Sequence, residues 1–213
     1  MRGLRACFNH TTQVFSLDLS GCLTRCVFLR TLSDGKLTNL KRLIVAHSWI
    51  DTEIMITMLQ RTRCLQELDM TDVSTIKDDV CEVITKFASH SVKVFYLPER
   101  LSFWSHTRIS RMLDSCQELV TLGVDGDMVD AQFIGDIFNG LEVKKLRKLR
   151  LTDVKDACVI KALRIIHSNH SSRIELCVCR CPYLRTETTE LLSNLSIPLC
   201  SQCKYDISTF SWK

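Results

Sequence analysis

The spacing apolar-x-x-apolar-x-apolar-x-x-(Cys, Asn or similar) returns along the chain and constrains its fold more than any other feature. Val14, Leu17, Leu19 and Cys22 carry it in VFSLDLSGC, and Leu40, Leu43, Val45 and Ser48 carry it in LKRLIVAHS. It recurs as Leu65, Leu68, Met70 and Val73, as Val92, Phe95, Leu97 and Arg100, as Leu119, Leu122, Val124 and Asp127, and as Leu146, Leu149, Leu151 and Val154. A weaker seventh copy, SRIELCVC, places Ile174, Leu176 and Cys179 in the same slots. The second anchor thus falls at 17, 43, 68, 95, 122, 149 and 174. Steps of this size are those of a repeat architecture in which each unit is too small to bury its own apolar face.

Within each copy the alternating apolar residues predict a short strand, whose side chains point to opposite faces in turn. The intervening segments read as helices. Ile76, Val80, Val83, Ile84 and Phe87 form one helical stripe, and Ile109, Met112, Leu113 and Cys116 form another. Asp51 and Asp130 stand where helices should begin and are candidate caps. A chain that repeats strand, turn, helix and return must build parallel strands. The expected fold class is therefore α/β: a curved solenoid of about seven repeats, with strands on its concave face and helices on its convex face. The expected organisation is an N-terminal lead-in or cap over residues 1–12, a repeat domain over 13–197, and a C-terminal cap or tail over 198–213.

The copies resemble the cysteine-containing subclass of leucine-rich repeats, known from F-box/leucine-rich-repeat proteins. RTRCLQELDM and LDSCQELVTLGV match that pattern through Cys64 and Cys116, and LDLSGC matches it through Cys22. The resemblance places Cys64 and Cys116 at helix ends, as small packed groups. It implies a substrate-holding surface for an SCF-type ubiquitin ligase. About a dozen residues precede the first repeat, which is short for an F-box bundle, so ligase recruitment is not carried over with the repeats.

If apolar anchors point inward, the residues between them point outward on the concave face. Asp18, Arg42, Glu67, Asp69, Tyr96, Asp125, Lys148, Arg150 and Arg173 are the expected partner-contacting positions. Acids dominate the first half, Tyr96 lies near the centre, and Lys148, Arg150 and Arg173 make the second half basic. An aromatic centre flanked by charge suits a protein partner, since Tyr and Arg are enriched at binding hot spots.

Other classes find less support. A net charge of +4 is too mild to demand nucleic acid. The basic run VKKLRKLR (Lys144, Lys145, Arg147, Lys148 and Arg150) reads as a solvated loop feeding a strand, with Leu146 and Leu149 buried. No run reaches the roughly 18 apolar residues of a membrane span. Twelve cysteines without a secretory leader point to a reduced cytoplasmic or nuclear setting. The only metal-like cysteines are Cys177, Cys179 and Cys181, with Cys200 and Cys203. Neighbouring strand residues face opposite sides, so the first three should not converge, and no metal site is assigned. No phosphate-cradling loop, nucleophile elbow or zincin motif is present, so neither catalytic nor cofactor-binding residues are expected. The sequence therefore suggests a non-enzymatic protein-binding module, monomeric outside its complex, with neither membrane nor nucleic acid as the expected partner. The alternative is a structural assembly subunit with no ligase role.

Overall fold

The computed structural model describes residues 13–22, 37–98, 104–126, 129–140, 145–168, 174–181 and 184–194. In chain order these form β1 (Ser16–Asp18), β2 (Arg42–Ile44), α1 (Thr52–Arg61), β3 (Glu67–Asp69), α2 (Val80–Phe87), β4 (Val94–Tyr96) and α3 (His106–Ser115). They continue with β5 (Thr121–Asp125), α4 (Ala131–Gly140), β6 (Lys148–Thr152), α5 (Asp156–Ser168), β7 (Glu175–Cys179) and α6 (Thr186–Asn194). The strands make one sheet of seven in sequence order, every pair is parallel, and β1 does not close onto β7.

The register is regular. Leu17, Leu43, Leu68, Phe95, Leu122, Leu149 and Leu176 stand opposite one another across the sheet. All are buried, as is the row two residues on: Leu19, Val45, Met70, Leu97, Val124, Leu151 and Val178. Ile54, Met55, Met58, Leu59, Val80, Ile84, Ile109, Met112 and Leu113 supply the helix side of the same core. Each such side chain contributes about 1.5–3 kcal/mol on burial. Strands of three to five residues persist because those side chains, and not strand length, hold them in place.

Three expectations need correction. The first concerns the seventh copy, where Leu176, not Ile174, stands opposite Leu149. Its interval from Leu149 then equals the 27 residues between the three preceding anchors. The outward positions of β7 become Glu175, Cys177 and Cys179, and Cys181 takes the final slot that had been given to Cys179.

The second concerns Cys64, which is exposed. Counted back from the strand anchors, the slot of buried Cys116 belongs to Leu37, Thr62 and Ser89. Thr62 caps α1, its hydroxyl donating to the Leu59 carbonyl at 2.8 Å, and the Ser89 hydroxyl donates to the Thr85 carbonyl at 2.7 Å. Where the slot follows a described helix, at Thr62, Ser89 and Cys116, it takes a small residue, and the hydroxyl of Thr62 or Ser89 satisfies a helix carbonyl. Cys116 is buried as expected, and desolvation pushes its thiol up to about 12, as it does that of Cys81 in α2. Neither thiol is poised for reaction.

The third concerns the caps. Asp130 behaves as expected, its carboxylate accepting from the Phe133 N–H at 2.7 Å. Asp51 occupies the cap position of α1, but its side chain accepts no cap hydrogen bond, and its backbone carbonyl takes the Met55 N–H instead.

One periodic feature was not anticipated. Four residues after six of the seven anchors the backbone turns left-handed, at Gly21, His47, Asp72, Gly126, Asp153 and Arg180, with φ between 49° and 114°; the corresponding residue after Phe95 lies outside the described residues. Such a conformation costs a non-glycine residue roughly 1–2 kcal/mol. The cost is tolerated because the turn keeps the ladder going. The N–H groups of Gly21, His47, Gly126 and Asp153 donate to the carbonyls of Ala46, Thr71, Thr152 and Cys179 on the next strand.

Candidate protein-binding face

The strand residues that point away from the helices form three rows across the sheet. The first contains Ser16, Arg42, Glu67, Val94, Thr121, Lys148 and Glu175. The middle row contains Asp18, Ile44, Asp69, Tyr96, Gly123, Arg150 and Cys177. The third contains Asp125, Thr152 and Cys179 in β5 to β7. The first-row and middle-row positions expected from the sequence, Asp18, Arg42, Glu67, Asp69, Tyr96, Lys148 and Arg150, all lie on this face and are exposed or half-buried. Arg173 lies outside the described residues, as do Arg100, Asp127, Lys144, His170, Cys200, Cys203 and the segments 1–12 and 198–213.

Part of the charge on the face is paired within it, while Asp18 and Asp69 are held by neutral donors. Arg42 Nε meets Glu67 Oε2 at 2.9 Å, and Lys148 Nζ donates to Glu175 Oε1 at 3.0 Å, each pair joining register partners on adjacent strands. Asp18 accepts from the backbone N–H and hydroxyl of Ser20, which hold its carboxyl below its usual range. Asp69 accepts from the Thr71 N–H at 2.9 Å. The run VKKLRKLR is similarly divided. Leu146 and Leu149 are buried as expected, Lys145 pairs with Glu118, and Lys148 and Arg150 project onto the sheet face.

Asp125 departs from expectation. It points to the outward side but is buried at 7% exposure. The side chain of Arg180, on the left-handed turn of β7, reaches back to Asp153 at 2.9 Å and to Asp125 at 3.9 Å. Burial first, then the charge of Asp153, raises the Asp125 carboxyl above its usual range, with Arg180 and Arg150 opposing. A carboxyl raised in the folded state favours folding when protonated. That contribution is complete below the ordinary aspartate range and is lost as pH rises through the raised value. Asp125→Asn imitates the neutral form, so the variant should be more stable than the native chain at about pH 7. The difference should close toward about pH 3, where the native carboxyl is itself protonated. Denaturant midpoints of both proteins at the two pH values measure this.

The centre of the face is built by an absence. Tyr96 of β4 and Arg150 of β6 are separated by β5, whose residue between them is Gly123. A β-carbon on Gly123 would lie 2.1 Å from Tyr96 Cδ1, so the edge of the tyrosine ring occupies the space a side chain there would fill. It thereby reaches the guanidinium of Arg150, whose central carbon sits 5.7 Å from the ring centroid. Arg150 Nε donates to the Thr152 hydroxyl at 3.2 Å, and Cys177 is its register partner on the far side. Tyr96 and Arg150 were both legible as outward positions. Their contact was not, because Gly123 carried no apparent signal.

Cys177 and Cys179 face the same side, with sulfurs 2.9 Å apart, while Cys181 packs against the apolar core. Residues two apart share a strand face, so the expectation that alternation separates these cysteines is corrected: Cys177 and Cys179 do meet, and Cys181 turns inward only because β7 ends at Cys179 and the left-handed Arg180 follows. Among the described residues no group of three His, Cys, Asp or Glu is arranged to hold a metal ion, and no helix is long and apolar enough to cross a membrane. A comparison with protein-family models matches no family, and a comparison with curated proteins finds no matching relative.

Proposed function

We propose that the chain is a leucine-rich-repeat solenoid of the cysteine-containing subclass that binds another protein on its concave face, without catalysis. By the resemblance of its repeats to those of F-box/leucine-rich-repeat proteins, the bound protein would be a substrate presented for ubiquitin-dependent degradation, in the cytoplasm or nucleus. The observation that carries the binding reading is the middle outward row, in which Tyr96 and Arg150 are held together over Gly123. Fixed aromatic and guanidinium groups lose little entropy on binding, and they are the side chains that dominate protein interfaces. The commitment of Arg42 to Glu67 and of Lys148 to Glu175, beside the acids Asp18 and Asp69, favours a selective protein surface over a diffuse polyanion site.

Proximity labelling in cells, comparing the native chain with Asp69→Lys/Tyr96→Ala, tests the reading. The native chain should label a small set of proteins that the variant loses. Equal labelling by both overturns the assignment of the face. Ligase adaptors and cullins in the native set support the receptor role. A stable set without them supports the alternative, an assembly subunit.

A further inference from the structure

We propose that Arg150 is the anchor for a single carboxylate, so that the partner segment crossing the Tyr96–Arg150 position carries an aspartate or glutamate there. The inference rests on the reading of the outward face as protein-binding and adds the chemistry of what it binds.

The argument begins with what each cation on the face already does. Arg42 is engaged by Glu67, Lys148 by Glu175, and Arg180 by Asp153. Arg150 differs. Its guanidinium carbon lies 5.7 Å from the Tyr96 ring centroid, and its Nε donates to the Thr152 hydroxyl. Asp125 feels its charge but lies beyond ion-pair reach, and among the described residues no carboxylate bonds either terminal nitrogen. The end-on edge of the guanidinium therefore remains available, with its orientation fixed from two directions. That edge presents two parallel N–H groups, the fork that matches the two oxygens of one carboxylate.

The same observations favour a carboxylate over a phosphate. A phosphate dianion is usually gripped by several cations, and here the neighbouring ones are committed. The carboxylate of Asp125 nearby would also oppose a second negative charge. Thr152 and Cys177 flank the site and are almost fully buried, so a carboxylate seated there would be partly shielded from water. Shielding strengthens a charge-assisted pair.

A random-sequence nonapeptide library displayed on phage, selected on the immobilised full chain, tests this. Peptides enriched on the native chain should share one Asp or Glu. Changing that residue to Asn or Gln in the synthetic peptide should weaken binding about 10- to 100-fold, the range of a hydrogen-bonded charge pair. Arg150→Lys keeps the charge and loses the fork, and should weaken the same peptides several-fold. Arg150→Glu should abolish their binding in a protein that still unfolds cooperatively, with a midpoint lowered by the new carboxylate beside buried Asp125.

Three outcomes would overturn the proposal. Peptides that lose binding to Asp69→Lys/Tyr96→Ala yet lack an acidic position, or bind Arg150→Glu equally well, remove the arginine anchor and leave the protein-binding face intact. A phosphoserine peptide that binds more than tenfold tighter than its glutamate counterpart removes the carboxylate assignment. Absence of enrichment, or enrichment indifferent to every substitution on this face, overturns both the anchor and the face.

Discussion

Replacing Phe95 with alanine is expected to cost about 3–5 kcal/mol of unfolding free energy, among the largest losses for any described residue. Phe95 is fully buried in the middle strand of seven, between Leu68 and Leu122 in the same row, and it heads the largest completely buried side chains. The loss combines the transfer of the ring to water with the cavity left behind, which the flanking leucines can only partly close. For a chain of this length the thermal midpoint should fall by roughly 10 °C, at about 2–4 °C per kcal/mol. Phe95→Leu, which keeps most of the volume, should cost well under half as much. A further consequence follows from the strand order. Each strand pairs only with its sequence neighbours, so cooperativity must pass from one layer to the next. A cavity in the central layer should weaken that passage and lower the denaturant slope as well as the midpoint. If Phe95→Ala and Leu17→Ala at the edge strand shift stability equally, the sheet is not coupled through its centre.

The core was legible because burial repeats. Leu43, Leu68, Leu122 and Leu149 each recur with the same flanking apolar residues, and the need to bury short strands leaves few other arrangements. Legibility failed where one residue type served two purposes. Cys64 looked equivalent to Cys116 because both are cysteines ahead of a strand. Distance from the anchor, and not residue type, decides burial, and at the right distance stands Thr62. In the seventh copy Ile174 and Leu176 are both apolar, so the pattern alone fits two registers. Hydrogen-bonded register distinguishes them, and so does the 27-residue step that Leu176 continues and Ile174 breaks. The left-handed turns escaped notice for the opposite reason. Gly21, His47, Asp72, Gly126, Asp153 and Arg180 share a backbone conformation and no side-chain chemistry.

On the outward face, strand alternation located the candidate residues but could not rank them. Arg42, Lys148 and Arg150 look alike in sequence. Pairing across strands is a property of register, and it sets Arg150 apart from the other two. Asp125 looked like any other outward acid, yet the reach of Arg180 from the next turn but one helps bury it. A long side chain is free to choose among neighbours on either side, and nothing in the sequence encodes that choice.

Gly123→Ala is expected to show that the missing side chain organises the site. Gly123 is not left-handed, so its backbone accommodates alanine, and the whole effect should come from the added methyl group. That methyl would sit 2.1 Å from Tyr96 Cδ1 and 2.9 Å from Cε1, far inside contact distance. The ring must swing away and lose its contact with the Arg150 guanidinium. A destabilisation of about 1–3 kcal/mol is expected, as for other overpacked positions. In a Tyr96→Ala background nothing remains to clash with, and alanine should replace glycine with a gain of about 0.5–1 kcal/mol, since glycine in a strand gives up more backbone entropy on folding. The sign of one substitution should thus reverse with the identity of a residue on the neighbouring strand. Denaturant unfolding of the four proteins in this double-mutant cycle measures the coupling directly. A coupling near zero would mean that the tyrosine does not lie across the glycine in solution. A large coupling with unchanged binding of acidic peptides would mean that the ring packs there but does not orient Arg150. Large coupling together with weakened peptide binding is the outcome that follows if Gly123 acts as the empty place through which β4 and β6 share one site.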